Sequence, residues 1–331
     1  MNEALHHSTD GTAGIGTNPV LAEVVRSGFV ESVHRGRVIA LAADGSPALS
    51  VGDVDAPVFS RSSLKPLQAL AMLRAGLPLS GRLLALAAAS HSGEPFHLAG
   101  VRELLADCGL DPSALRCPPD LPLDEAARVA WLRSGHDREP LAMNCSGKHA
   151  AMLATCVAAG WPTADYTDLA HPLQQAIAST VSELAGPVSA VGVDGCGAAQ
   201  FATSLRGLAQ AGRSLATGAA GEPGSAIVAA YRQFPEWTSG TARPDAALMR
   251  AVPGLLVKAG AEGVQLAVMS DGRSVAVKID DGAGRASVPV LVAALRAVGV
   301  VIGADPGPVV APPVLGGGRP VGVVRVPDGA W

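Results

Sequence analysis

Arg37-Val38-Ile39-Ala40-Leu41-Ala42, a turn at Asp44-Gly45, then Ala48-Leu49-Ser50-Val51: this stretch reads as two strands closed by an Asp-Gly hairpin turn. A further run, Val30-Glu31-Ser32-Val33-His34, precedes it. At the other end of the chain, Gly263–Met269 and Ser274–Ile279 flank Asp271-Gly272, a second hairpin signal, and Val321–Val326 reads as a last edge strand. Between the two β-rich ends the pattern is helical over Ser62–Ala75, Glu94–Cys108, Leu121–Gly135, Cys145–Ala159, His171–Leu184, Ala198–Ala211 and Ser225–Phe234. Val188–Val193 reads as a short strand and Ser287–Val298 as a long helix, while Leu83–Ala89 fits either state. Strands at both ends with helices between them imply an α/β chain of the α+β type, its terminal sections paired in one antiparallel sheet. Residues 1–18 read as a flexible tail and 19–331 as a single domain without repeats.

The composition narrows the function. Of 331 residues, 48% are hydrophobic and 16% charged, which excludes a disordered chain. A net charge of −4 and only 3% aromatic residues argue against a nucleic-acid binder, which needs a basic face and stacking surfaces. Ala286–Ala304, the longest apolar run, contains Pro289 and Arg296 and reads as a buried helix, not a membrane span. Five cysteines, an odd count, and the polar segment Met1–Thr17 point to a reducing cytoplasm with free thiols.

The chemistry lies in the lysines. There are four, and three sit in polar clusters: Ser62-Ser63-Leu64-Lys65, Asn144-Cys145-Ser146-Gly147-Lys148-His149 and Lys258-Ala259-Gly260. A buried lysine can lose its proton and act as a base, which arginine cannot. At i and i+3 of a helix, Lys65 shares a face with Ser62 and would accept its proton. Taken alone, that spacing more often describes a capping serine beside a solvated lysine. Ser62-x-x-Lys65 is followed by Ser90-His91-Ser92 and then Lys258-x-Gly260. This is the order of S-x-x-K, S-x-N and K-T-G in penicillin-binding and β-lactamase-type acyltransferases. Cys145, with Lys148 three residues on, and Cys196 in the Asp194-Gly195-Cys196-Gly197 turn offer soft ligands for zinc, or are two small buried residues.

Together, Ser62–Ala69, Ala89–Glu94, Asn144–His149 and Asp194-Gly195-Cys196 resemble the Rhizobium-type L-asparaginase family, or asparaginase II family, from about Val20 to Val326. The resemblance implies a serine β-lactamase/glutaminase-like fold and a single catalytic domain. It also implies hydrolysis of L-asparagine to aspartate and ammonia by a cytoplasmic homodimer. Carried over, Ser62, Lys65, Ser90 and Lys258 are catalytic, Ser62 as nucleophile and Lys65 as base. Arg61, His91, Asp194 and Gly260 bind substrate, and Cys145, Lys148 and Cys196 bind a zinc ion that tunes affinity, with no organic cofactor. No nucleic acid or membrane is expected as a partner. The chain departs from the family at Cys117-Pro118-Pro119-Asp120-Leu121-Pro122, where Asp120 stands in place of a histidine. The rival readings are a glutaminase or β-lactamase-like enzyme on the same scaffold and, more distantly, a non-catalytic zinc-binding sensor.

Overall fold

Both Asp-Gly turns close hairpins. At the first, Asp44 Oδ1 accepts the Ser46 N–H at 2.8 Å and Gly45 takes φ +90°, a conformation that favours glycine. This turn joins β2 (Phe29–Leu41) to β3 (Pro47–Val51). At the second, Gly272 (φ +94°) joins β8 (Val264–Val268) to β9 (Ser274–Ile279). The computed structural model describes residues 18–303, 307, 310 and 312–331, so the tail read over residues 1–18 lies outside it but for its last residue.

The two ends of the chain build one antiparallel sheet. With β1 (Val20–Arg26), β7 (Leu256–Gly260), β10 (Val314–Gly316) and β11 (Arg319–Arg325), its order is β10-β11-β1-β2-β9-β8-β7, and β3 pairs with β2. The seam between the ends is β2 against β9, from Gly36 opposite Ile279 to Leu41 opposite Ser274. β11 pairs on both sides, with β1 and β10, so it is not the edge strand its sequence suggested. β8 is buried at every residue, as a strand covered on both faces must be. The helices Leu205–Ala216 and Gly284–Ala297 pack against it and its neighbour β9. Among the described residues no helix is long and apolar enough to cross a membrane.

A small second sheet holds β4 (Pro57–Phe59), β5 (Ala190–Val193) and β6 (Ala199–Ser204) in the order β4-β6-β5. β6 corrects the helix read from Ala198. Its residues are almost all buried, which leaves no alternation to mark a strand, and the helix starts only after Ser204 caps it. The remaining helices include Lys65–Arg74, Gly81–Ala87, Pro95–Asp107, Glu125–Arg133, Ser146–Ala159 and Pro172–Ala185. Glu222–Gln233, Pro235–Thr238 and Pro244–Ala251 complete the set named here, and the last two had no counterpart in the sequence reading.

Candidate active site

Five chain segments converge where β7, the end strand of the large sheet, meets the turn before the Lys65 helix. That turn, Arg61–Leu64, is a 3₁₀ helix, not the start of the α-helix read from Ser62. Arg61 is one of three described non-glycine residues at positive φ (+51°), a conformation that costs about 1–3 kcal/mol and clusters at functional sites. Gly260 explains how β7 comes so close. A Cβ there would lie 2.8 Å from Ser60 O and 3.2 Å from Ser63 N, so the glycine seats the turn itself.

Ser90 is the centre of the hydrogen bonding. Lys65 Nζ and Lys258 Nζ each lie 3.0 Å from its Oγ. Lys65 also donates to Ala89 O at 2.5 Å and approaches Cys145 Sγ at 3.1 Å. These three partners match the three N–H groups of an ammonium, and Ser62 is not among them. Lys258 has two partners, Ser90 Oγ and Ala259 O at 2.6 Å, which leaves room for a lone pair. Burial above all, then the charge of Lys65, pushes the Lys258 amine down from 10.5 to about 7. The Ser62 hydroxyl is half-buried and unpartnered among the described residues. Ser63 lies on the other side, its hydroxyl donating to Ser60 O at 2.5 Å. Its N–H is also held by Ser60 O, at 3.2 Å, and so is not free to meet an oxyanion.

The sulfur cluster adjoins this centre through Lys65. The ligand atoms of Cys145, Asp194 and Cys196 all lie within 4.8 Å of one another. Cys145 precedes the Ser146–Ala159 helix, and Asp194 and Cys196 lie in the turn between β5 and β6. Lys148 Nζ approaches Cys196 Sγ at 3.1 Å. A hydrogen bond from Cys145 and the Lys148 charge hold the Cys196 thiol far below its ordinary range. The same shared proton and burial push Cys145 well above it. Burial opposes the charge on Lys148, but the two sulfurs outweigh it and raise its pKa. Two sulfurs and a carboxylate suit a borderline-soft cation such as zinc, so the residues present fit the ion. Lys148 could join them only after losing a proton that the cluster otherwise holds in place. Asp194 was read as a substrate contact; it lies in this cluster and pairs with Arg61 Nε at 2.6 Å.

His91 is enclosed in the interior. Its side chain is fully buried, Nε2 lies 2.9 Å from Ser146 Oγ, and its ring stacks on His97 with centroids 5.2 Å apart. Burial, then the His97 and Lys65 charges, hold it neutral. It joins the Ser90 and Ser146 segments and is 0% exposed. Asp120 pairs with Arg138 Nη1 at 2.6 Å, both side chains well exposed. Residues that the sequence did not flag also shape the site. Asp245 Oδ2 accepts the Ala259 N–H at 3.1 Å, and Tyr166 OH lies 2.7 Å from His149 Nδ1. No motif surrounds either of them.

Two solved structures are similar in outline. One is Mglu in its native form, with 14% identity, 89% of this chain and 71% of that one covered, and a TM-score of 0.42. The other is EstCE1, described as a hydrolase with promiscuous acyltransferase activity, with 14% identity, 87% and 94% covered, and a TM-score of 0.40. No curated protein is significantly similar to the chain. The family profile of L-asparaginase II matches residues 22–326, from β1 to just past β11 and through every segment of the site. By that match the chain belongs to the L-asparaginase II family and is a hydrolytic enzyme acting on an amide.

Proposed function

We propose that the chain is an L-asparagine amidohydrolase working through a serine acyl-enzyme. The observation that carries this reading is Ser90, a hydroxyl held between two buried lysines, one of them Lys65, three residues after Ser62, and the other, Lys258, pushed to about 7. A base near the working pH is what acyl transfer needs.

Ser62 Oγ attacks the side-chain amide carbon. As it does so its proton passes to Ser90 Oγ, and Ser90 gives its own proton to neutral Lys258. The base is therefore Lys258, not Lys65, whose three N–H groups are already engaged. Lys65 stays a fixed cation beside the developing charge. The carbonyl oxygen becomes an oxyanion, for which the Ser62 N–H, without a backbone partner among the described residues, is a donor. Collapse returns the proton from Lys258 through Ser90 to the departing nitrogen, so ammonia leaves. Water then hydrolyses the ester by the same relay and frees aspartate and Ser62. A zinc ion held by Cys145, Cys196 and Asp194, and by Lys148 once deprotonated, would supply positive charge that organises the pocket and tunes affinity.

A second reading makes Ser90 the nucleophile, since the lysine hydrogen bonds terminate on it. A diazoketone analogue of asparagine separates the two, because peptide mass spectrometry then shows which serine is alkylated. Ammonia release from asparagine, glutamine and a chromogenic β-lactam, assayed side by side, tests the function. Turnover of asparagine above the other two is expected. Opening of the β-lactam without ammonia from asparagine would sink the proposal.

A further inference from the structure

The segment Thr238–Asp245 forms one wall of the site. Thr238 O accepts the Ser90 N–H at 3.2 Å. Thr241 donates its N–H and its hydroxyl to the Glu94 carboxylate at 2.9 and 2.7 Å. Asp245 accepts the N–H of Ala259, the neighbour of Lys258. The strap is thus pinned at one end beside Ser90 and at the other beside Lys258, and Arg243 lies between the pins.

Every other cation of the site is engaged. Arg61 pairs with Asp194, Lys148 with Cys196, and Lys65 and Lys258 with Ser90. Arg243 is half-buried, and its Nε is buried without a hydrogen-bond partner. Among the described residues no ion pair or side-chain hydrogen bond involves its guanidinium. Asp245, two residues on, turns its carboxylate to Ala259 instead. The Arg243 charge reaches the catalytic centre, where it is one of those disfavouring a proton on Lys258. The Nε buried without a partner lacks an acceptor, and a ligand carboxylate that pairs with the guanidinium supplies one.

On the amidohydrolase reading, the substrate brings one carboxylate. In asparagine it lies roughly 4 Å from the amide carbon, at the far end of two C–C bonds from the reacting group's neighbour. We propose that Arg243 binds the α-carboxylate of the substrate, and that the enzyme therefore selects amides of amino acids over simple amides. The planar guanidinium offers two parallel N–H donors to such a group.

The test compares L-asparagine with 3-aminopropanamide, the same molecule without its carboxylate, in the wild type, Arg243→Met and Arg243→Lys. The wild type should favour asparagine in kcat/KM by about 100-fold, the usual range for losing a charge-assisted contact. Arg243→Met should raise KM for asparagine about as much, change kcat far less, and bring the ratio of kcat/KM for asparagine over 3-aminopropanamide close to one, since any effect of the lost charge on Lys258 falls on both substrates alike. Should Arg243→Met fail to fold by circular dichroism, Arg243→Lys decides, with an expected rise in KM for asparagine of about tenfold, since the fork is lost. An unchanged KM for asparagine in a folded variant overturns the assignment of Arg243 alone. No ammonia from asparagine with the wild type overturns the amidohydrolase reading, and this inference with it.

Discussion

The mechanism depends on Lys258 losing its proton near neutrality, and replacing Lys65 by methionine tests why it does so. Both lysine nitrogens lie 3.0 Å from Ser90 Oγ, so they are no more than about 6 Å apart, the sum of the two bonds. At an effective dielectric constant of about 20, unit charges at that distance repel by about 3 kcal/mol, worth about 2 pKa units. Repulsion favours the neutral amine, so Lys65→Met should raise the Lys258 midpoint from about 7 to about 9, while burial keeps it below an exposed lysine. The assay suits this chain unusually well, because it has four lysines: Lys65, Lys148, Lys258 and Lys278. Lysine labelled with carbon-13 at Cε gives four signals; Lys65→Met removes and so identifies its own, and Lys258→Met does the same for Lys258. In the wild type one signal should titrate at about 7, and kcat/KM should rise with pH through the same midpoint, because the base is the neutral form. A midpoint that stays at about 7 in the variant would refute the coupling. A wild type in which no lysine titrates near neutrality would refute the base itself.

Three further outcomes are expected. Gly260→Ala places a methyl 2.8 Å from Ser60 O and pushes β7 off the turn that carries Ser62. It should cut kcat by about 10- to 100-fold with little change in melting temperature, and normal turnover would show that the turn tolerates the shift. Ser146→Ala removes the partner of His91 Nε2 in a ring whose Nδ1 is already unpaired, and should cost about 1–3 kcal/mol in chemical denaturation. Stripping metal with a chelator should raise KM more than it lowers kcat, and zinc should restore it. A collapse of kcat at constant KM would move the chemistry from serine to the metal.

The hairpins at Asp44-Gly45 and Asp271-Gly272 were legible because each needs a residue type at a fixed place. The helix Ser146–Ala159 was legible for the same reason, ending at Gly160 with φ +67°. β6 was not, because a strand buried on both faces has the same apolar content as a helix. The Pro244–Ala251 helix is only two turns long and was missed, and with it Arg243 and Asp245. The site residues were named from motifs, yet their pairing was not. Spacing joined Lys65 to Ser62 along the chain, whereas the fold hands Lys65 to Ser90, 25 residues away. Local sequence shows which groups share a turn of helix. It cannot show which loop arrives opposite them.

One ammonium group touches both halves of this pocket: Lys65 reaches the Ser90 oxygen with one N–H and the Cys145 sulfur with another. A cation bound to that sulfur must share it with Lys65 or displace that contact. Whatever free energy the displacement costs the metal, the metal imposes on the lysine in return, since coupling between two sites is reciprocal. Metal occupancy would then be written into the rate of a serine reaction even when the ion never meets the substrate. Conversely, an acyl group resting on a serine beside Lys65 changes how tightly the sulfurs hold their ion. The enzyme would bind metal with one affinity at rest and another in mid-turnover.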